Sequence, residues 1–154
     1  MKPLIVLITA FLATLGISWF IDHEWHWSFS GKLAMAIMLC FTALGHFMFT
    51  KGMTMMLPPS LPFRKEAVLI TGVLEPLMGI ALLVPAFEPY AAWILILFFV
   101  FMLPANIYAA IKGVDYQKAD YNGAGKSYLW FRIPLQLLFI VWVWLFALVR
   151  IFPL

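Results

Sequence analysis

Charged residues are scarce in this sequence. Asp, Glu, Lys and Arg make up 11% of its 154 residues and hydrophobic residues make up 65%, whereas about a quarter of an average soluble domain is charged. This balance excludes an ordinary soluble domain and predicts a protein that resides in the lipid bilayer. The formal net charge is only +3 and no basic run occurs, so we expect no nucleic-acid partner.

Cysteine and familiar catalytic motifs are also missing or rare. Cys40 is the single cysteine, which excludes an internal disulfide, a Cys-x-x-Cys redox pair and a cysteine-based zinc site. The sequence contains no phosphate-binding Gly-rich loop, no nucleophile elbow and no His-Glu-x-x-His motif. Familiar ATPases and hydrolases are therefore not supported, and whether the chain is an enzyme stays open.

Long apolar segments are what the sequence has in abundance. A helix needs about 20 apolar residues to cross the ~30 Å hydrocarbon core of a bilayer. Five segments approach or exceed that length: residues 3–21, 33–50, 67–87, 89–111 and 127–149. The first lacks a small-x-small cleavage site near its end, so we interpret it as a retained span. We therefore predict one all-α transmembrane domain over residues 1–154.

The basic residues predict the orientation of the spans. Lys32 and Arg150 fall on one side of the predicted membrane. The remaining eight fall on the other: Lys2, Lys51, Arg64, Lys65, Lys112, Lys118, Lys126 and Arg132. Because cytoplasmic loops carry an excess of Lys and Arg, we predict a cytoplasmic N-terminus. Interfacial anchoring by indole rings is expected near the outer ends of the spans, at Trp19, Trp25, Trp27 and Trp93.

Five polar residues are predicted at one depth within the bundle. Glu75 lies about nine residues into the third span, roughly 13 Å deep at 1.5 Å per residue. His46, Asn106, Arg132 and Gln136 come from three other spans and reach a similar depth. Ionisable groups inside a membrane are costly, which makes them functional candidates. We predict that these five residues form a buried polar cluster.

The residues beside Glu75 favour close packing. Gly72, Glu75 and Gly79 share one helix face, where small residues let a neighbouring helix approach closely. Pro76 and Pro104 each free a backbone carbonyl at the same depth, and a membrane interior must supply a partner for it.

Two interpretations of the polar cluster remain open. In the first, a Glu75–Arg132 ion pair fixes the bundle, with the other three residues completing its hydrogen bonds. In the second, the cluster lines a pocket that opens toward the inner leaflet and orients the polar head group of a lipophilic ligand. His46 would then be the natural proton carrier, because imidazole titrates near neutral pH.

Metal and haem sites are weaker candidates, and we expect none. A haem held by two histidines needs a second histidine within the membrane, whereas His23 and His26 lie in the predicted outer loop. The same loop contains Asp22 and Glu24, which could bind a metal at the surface, but a short solvated loop beside Trp residues favours no specific site.

Short motifs follow one another along spans two to five: Gly45-His46-Phe47, Leu57-Pro58, Thr71-Gly72-Val73-Leu74-Glu75, Pro104-Ala105-Asn106-Ile107-Tyr108 and Arg132-Ile133-Pro134-Leu135-Gln136. Together, over roughly residues 31–150, they resemble the DoxX-like family of small bacterial membrane proteins. The resemblance implies a four-helix core formed by spans two to five, with the first span as an addition, and a multi-pass location in the bacterial inner membrane.

The resemblance also implies a quinone-like partner. DoxX-like proteins are associated with quinone-linked sulfur oxidation, terminal oxidase complexes and protection against oxidative stress. A bound quinone or other lipophilic small molecule, and a partner oxidoreductase subunit, are therefore expected. A small proton-coupled transporter, a structural assembly subunit and an acid–base enzyme acting on a lipophilic substrate remain as alternatives.

Overall fold

The chain folds into a bundle of helices. The computed structural model describes residues 2–149. Its helices are α1 Lys2–Asp22, α2 Trp27–Met48, α3 Thr50–Met55, α4 Arg64–Leu83, α5 Glu88–Ile111 and α6 Leu129–Val143. A 3₁₀ turn over Gly125–Tyr128 leads into α6, and a π-helical turn over Trp144–Val149 continues it. Within residues 2–149 there is no strand, only an isolated bridge between Asp115 and Asp120.

Five of these helical stretches are long enough and apolar enough to cross a membrane. They are α1, α2, α4, α5 and the continuous stretch Gly125–Val149. Their length and composition confirm the all-α class and indicate a multi-pass membrane protein. Large side chains on the outer surface fit lipid contact, for example Phe20 at 85% and Trp130 at 87% exposure. The cytoplasmic side stays a prediction from the distribution of basic residues.

Helices α2, α4, α5 and α6 form a ring, and α1 lies outside it. Neighbours around the ring are in contact, and the π-helical turn that follows α6 closes it against α2 and α5. Helix α1 packs on α2. Its Phe11 ring lies 5.0 Å from the ring of Trp142 and 5.3 Å from that of Phe146. The predicted four-helix core with an additional N-terminal span is therefore confirmed.

The two halves of the ring, divided along the bundle axis, differ in how their interiors are filled. Buried apolar side chains occupy the half that contains the beginning of α2 and the end of α4: Ala34, Met35, Leu82, Ala92, Leu95, Val143 and Ala147. Close packing there leaves little free space. The opposite half, around the end of α2 and the beginning of α4, contains the predicted polar residues.

The boundary of α2 corrects one prediction. The helix begins at Trp27 rather than at residue 33, so Lys32 lies within α2 instead of in an outer loop. Lys32 is buried, and its Nζ lies 3.0 Å from a carboxylate oxygen of Glu88. Local sequence predicts a loop at the first turns of α2, because they contain Ser28, Ser30 and Gly31. Tertiary contacts nevertheless satisfy the Ser28 hydroxyl and the Gly31 carbonyl there. The Ser28 hydroxyl, for example, donates to a main-chain carbonyl 2.9 Å away.

The other boundaries differ by a few residues. Helix α4 covers residues 64–83 where 67–87 was predicted, and α2 ends at residue 48 rather than 50. Arg150, the second basic residue predicted on the outer side, lies outside the described residues.

The glycines of α4 let it approach α2 closely, as predicted. A Cβ atom added at Gly72 would lie 2.6 Å from the Cβ of His46, and one added at Gly79 would lie 3.1 Å from the Cα of Ala36. Non-bonded carbon atoms do not approach to 2.6 Å, so a residue larger than glycine at position 72 would force the two helices apart. This close contact places Glu75, one turn further along α4, against α2.

Candidate functional site

The first group of polar residues lies between α2 and α4. A carboxylate oxygen of Glu75, Oε1, lies 3.2 Å from His46 Nε2, and its Oε2 accepts a hydrogen bond from the Thr42 hydroxyl at 2.7 Å. Only 11% of the His46 side chain and 9% of the Glu75 side chain are exposed. His46 Nδ1 lies 2.8 Å from the carbonyl oxygen of Val68. A carbonyl can only accept, so Nδ1 carries a proton.

This tautomer determines how Glu75 is accommodated. A hydrogen bond between Nε2 and Oε1 needs one proton, carried either by the carboxyl group or by the imidazole ring. The His46–Glu75 pair is net neutral in both arrangements, because the only difference between them is the position of that proton. A net-neutral, hydrogen-bonded pair is far less costly in a membrane interior than a lone carboxylate.

The second group lies between α5 and α6 and forms a directional chain of hydrogen bonds. Arg132 donates to Asn106 Oδ1 at 3.1 Å, and Asn106 Nδ2 donates to Gln136 Oε1 at 2.8 Å. Gln136 Nε2 donates in turn to the carbonyl of Phe99. A guanidinium only donates and a carbonyl only accepts, so the two ends fix both amide orientations. Arg132 also lies 5.0 Å from the centroid of the Tyr128 ring, a cation–π distance.

The ion pair required by the first interpretation is absent. Within residues 2–149, ion pairs join His26 to Asp22, Lys32 to Glu88 and His46 to Glu75. None joins Glu75 to Arg132. The first group forms its hydrogen bonds within one wall, made of α2 and α4, and the second forms them within the other wall, made of α5 and α6. The five predicted residues therefore form two hydrogen-bonded groups rather than one.

A cavity of about 780 Å³ brings the two groups to one site. All five predicted residues line it, together with Thr42 and Thr71. Much of the remaining lining is apolar, including Met38, Leu39, Phe98, Phe99, Met102, Leu135 and Phe139. This volume lies in the range of about 300–1,000 Å³ that is typical of small-molecule sites. The cavity can therefore hold a lipophilic molecule with a polar head group.

Helix α3 and the loop after α5 border the same cavity. Gly52 of α3 packs so closely on this loop that an added Cβ would collide with the carbonyl oxygen of Tyr116. The Phe49 and Tyr116 rings meet edge to face, with centroids 6.0 Å apart. Burial raises the pKa of the Tyr116 phenol. Lys51 and Lys112 belong to these connecting segments, so the cavity lies at the end of the bundle that is predicted to be cytoplasmic.

Sequence reasoning missed three contributors to the site. Thr71 contacts His46 Nδ1 at 3.2 Å, and Tyr116 and Tyr128 line the cavity near Arg132. Helix periodicity places Thr71 one turn before Glu75, which was an available signal. The two tyrosines lie in the loop and in the 3₁₀ turn before α6, where no helical period indicates which way a side chain points.

Metal binding finds no support in the described part of the chain. Residues 2–149 contain no group of three or more His, Cys, Asp or Glu side chains placed to hold a metal ion. At the surface, His26 Nε2 and a carboxylate oxygen of Asp22 lie 2.7 Å apart, which makes an exposed pair rather than a site.

A protein-family model matches residues 35–147. The chain belongs to this family, which is described as a domain of unknown function (DUF8561). The DUF8561 region begins within α2 and ends in the π-helical turn, so it includes all five predicted site residues and leaves out α1. No curated protein and no solved structure matches the chain.

Proposed function

We propose that this DUF8561 protein binds a quinone or another lipophilic small molecule in the membrane. The observation that carries the proposal is the cavity of about 780 Å³, which has an apolar lining and polar groups on two walls. Such a site buries a hydrophobic ring and tail while a few placed polar groups orient the head. Arg132, Asn106 and Gln136 offer hydrogen-bond donors for a ring oxygen, and the phenylalanine side chains offer surfaces for the ring.

The proposal extends to the inner membrane and to a redox partner. The likeness to DoxX-like proteins supports a bacterial inner-membrane location and a role in quinone-linked or oxidative-stress chemistry. The polar side chains of the cavity exchange protons but not electrons. A redox reaction of the ligand would therefore need an oxidoreductase partner subunit.

The packing of the bundle favours binding over transport. The cavity reaches one end only, and the opposite half is filled by side chains that are at most 1% exposed, among them Met35, Leu82, Leu95 and Val143. A transport pathway would require these residues to separate. A purely structural role does not account for the cavity, since each polar group completes its hydrogen bonds without reaching across it.

Mass spectrometry of molecules that co-purify with the protein tests the proposal. The wild type is purified in mild detergent and compared with Glu75→Gln and Arg132→Gln. Two matched controls, Glu66→Gln and Arg64→Gln, make the same changes outside the cavity lining. We expect a quinone or another defined lipophile in the wild type and in both controls, and depletion of at least about tenfold in the two cavity variants. Equal, non-specific lipid in all five folded proteins would refute ligand binding at this site.

A further inference from the structure

The donors and acceptors of the cavity are segregated, and this limits the chemistry of the ligand. We infer that the ligand carries a hydroxyl group and, away from it, a second oxygen that accepts hydrogen bonds, as an alkylated phenol or quinol does. This inference rests on the proposed function and specifies its ligand. It follows from counting, on each wall, the N–H and O–H protons that are already donated in hydrogen bonds within the protein.

The α5–α6 wall offers donors. The Arg132 guanidinium has five N–H groups, and within residues 2–149 one of them donates to Asn106. The amides of Asn106 and Gln136 each use one N–H in the directional chain and retain a second. Their carbonyl oxygens already accept one hydrogen bond each. The spare capacity of this wall therefore consists chiefly of N–H groups, which suit an acceptor oxygen.

The α2–α4 wall offers acceptors. The Nδ1 proton of His46 is held by the Val68 carbonyl, and the next proton lies between Nε2 and Glu75. The Thr71 hydroxyl has main-chain carbonyls as acceptors, each 2.9 Å away. The Thr42 hydroxyl donates to Glu75 Oε2. Every polar proton on this wall is therefore already donated to an acceptor within the protein, whether His46 or Glu75 carries the shared proton. The carboxyl oxygens still have lone pairs that can accept.

A hydroxyl-bearing ligand matches both walls and a quinone matches only one. The two carbonyls of a quinone accept hydrogen bonds, so one of them would face the acceptor wall and find no available donor there. A phenolic O–H can donate to Glu75 while the second oxygen accepts from Arg132. A buried polar group that is left without its hydrogen bond carries the full free-energy cost of its desolvation. The mismatch should therefore appear as a clear difference in affinity.

Two probes that differ only in the hydroxyl group test the inference. Para-hexyloxyphenol has the O–H and an ether oxygen, and para-hexyloxyanisole has the O–H replaced by a methoxy group. Their dissociation constants are measured by isothermal titration calorimetry with the full-length protein in detergent. For the wild type we expect the phenol to bind at least about tenfold more tightly than the anisole, because the anisole cannot donate to the acceptor wall.

Two cavity variants assign the two oxygens to the two walls. Glu75→Gln should reduce the phenol preference, because it removes the carboxylate that accepts the O–H. Arg132→Gln should weaken both probes by a similar factor, because the ether oxygen is common to both, and should leave their ratio unchanged. Glu66→Gln, an exposed position on the same helix as Glu75, should bind like the wild type.

The outcomes separate this inference from the proposed function. If the wild type binds the anisole as tightly as the phenol, the inferred hydroxyl is wrong while ligand binding stands, and that result needs no variant to fold. If folded Glu75→Gln keeps the full phenol preference, the pairing of the hydroxyl with Glu75 is wrong, and the inference from the two walls fails while ligand binding stands. If the wild type binds neither probe, the inference is overturned, and the comparison of co-purified molecules decides the proposed function separately.

Discussion

Replacing Gly72 by alanine should damage both the fold and the site through one methyl group. The added Cβ would lie 2.6 Å from the Cβ of His46 and 3.1 Å from its Cγ. Carbon atoms in van der Waals contact lie about 3.5–4.0 Å apart. Helices α2 and α4 must therefore separate locally by roughly 1 Å, because Cβ cannot move aside as the end of a flexible side chain would.

The separation has two measurable effects. Overpacking of this kind costs about 1–3 kcal/mol, while alanine favours a helix over glycine by about 1 kcal/mol. The net free energy of unfolding should thus fall by up to about 2 kcal/mol. The hydrogen bond from His46 to Glu75 is already 3.2 Å long and would exceed hydrogen-bonding distance. Gly72→Ala should therefore also weaken para-hexyloxyphenol binding.

Gly16→Ala provides the matched control. It makes the same change within helix α1, where an added Cβ meets no atom within 4 Å, so it should gain the helix-propensity benefit without a clash. Both variants are unfolded reversibly in mixed micelles of mild detergent and sodium dodecyl sulfate, and helicity is followed by circular dichroism. If Gly72→Ala is as stable as Gly16→Ala and binds the phenol like the wild type, the close approach of α4 to α2 is wrong.

Three further predictions concern the rest of the bundle. Gly52→Ala should displace the loop at Tyr116, because the new Cβ would collide with its carbonyl oxygen, and limited proteolysis by trypsin should then cleave this loop faster at Lys118. Trp142→Phe should lower the free energy of unfolding by about 1 kcal/mol, because it removes the indole N–H that donates to the carbonyl of Gly31 at 2.9 Å; unchanged stability would contradict that hydrogen bond. Because burial raises the pKa of Tyr116, its contribution to stability is complete below the ordinary tyrosine pKa of about 10 and is lost as pH rises through the folded value. Tyr116→Phe should therefore lose less stability than the wild type in strongly alkaline buffer, as followed by circular dichroism.

Depth and rotation explain what the sequence could predict and what it could not. The depth of a residue follows from counting 1.5 Å per residue along a span. This counting predicts one level for Glu75, His46, Asn106, Arg132 and Gln136, and all five line the cavity. The rotation of each helix about its axis depends on packing against its neighbours, which depth does not determine. For this reason the predicted partner of Glu75 was Arg132, whereas the structure pairs it with His46 and Thr42.

Lys32 shows the same limit at the other end of the bundle. A lysine near the start of an apolar run, preceded by two serines and a glycine, fits a loop in local sequence terms. Its burial depends on Glu88, which is far away in sequence and lies 3.0 Å away in space. A buried ion pair of this kind cannot be predicted from either residue's neighbours in sequence, because it exists only once the bundle has assembled.

The separation of the two polar groups is what keeps the cavity open. An ion pair between Glu75 and Arg132 would have required the two side chains to reach across the ring, and they would then occupy the space between α2 and α5. Instead, the shared proton leaves the His46–Glu75 pair net neutral within one wall, and the amide chain from Arg132 ends on a main-chain carbonyl within the other. Each wall is hydrogen-bonded internally and still has donors or acceptors available for a ligand in the cavity. Apolar space of about 780 Å³ can therefore persist between groups that would otherwise attract each other, which is the arrangement that a ligand with an apolar body and a polar head requires.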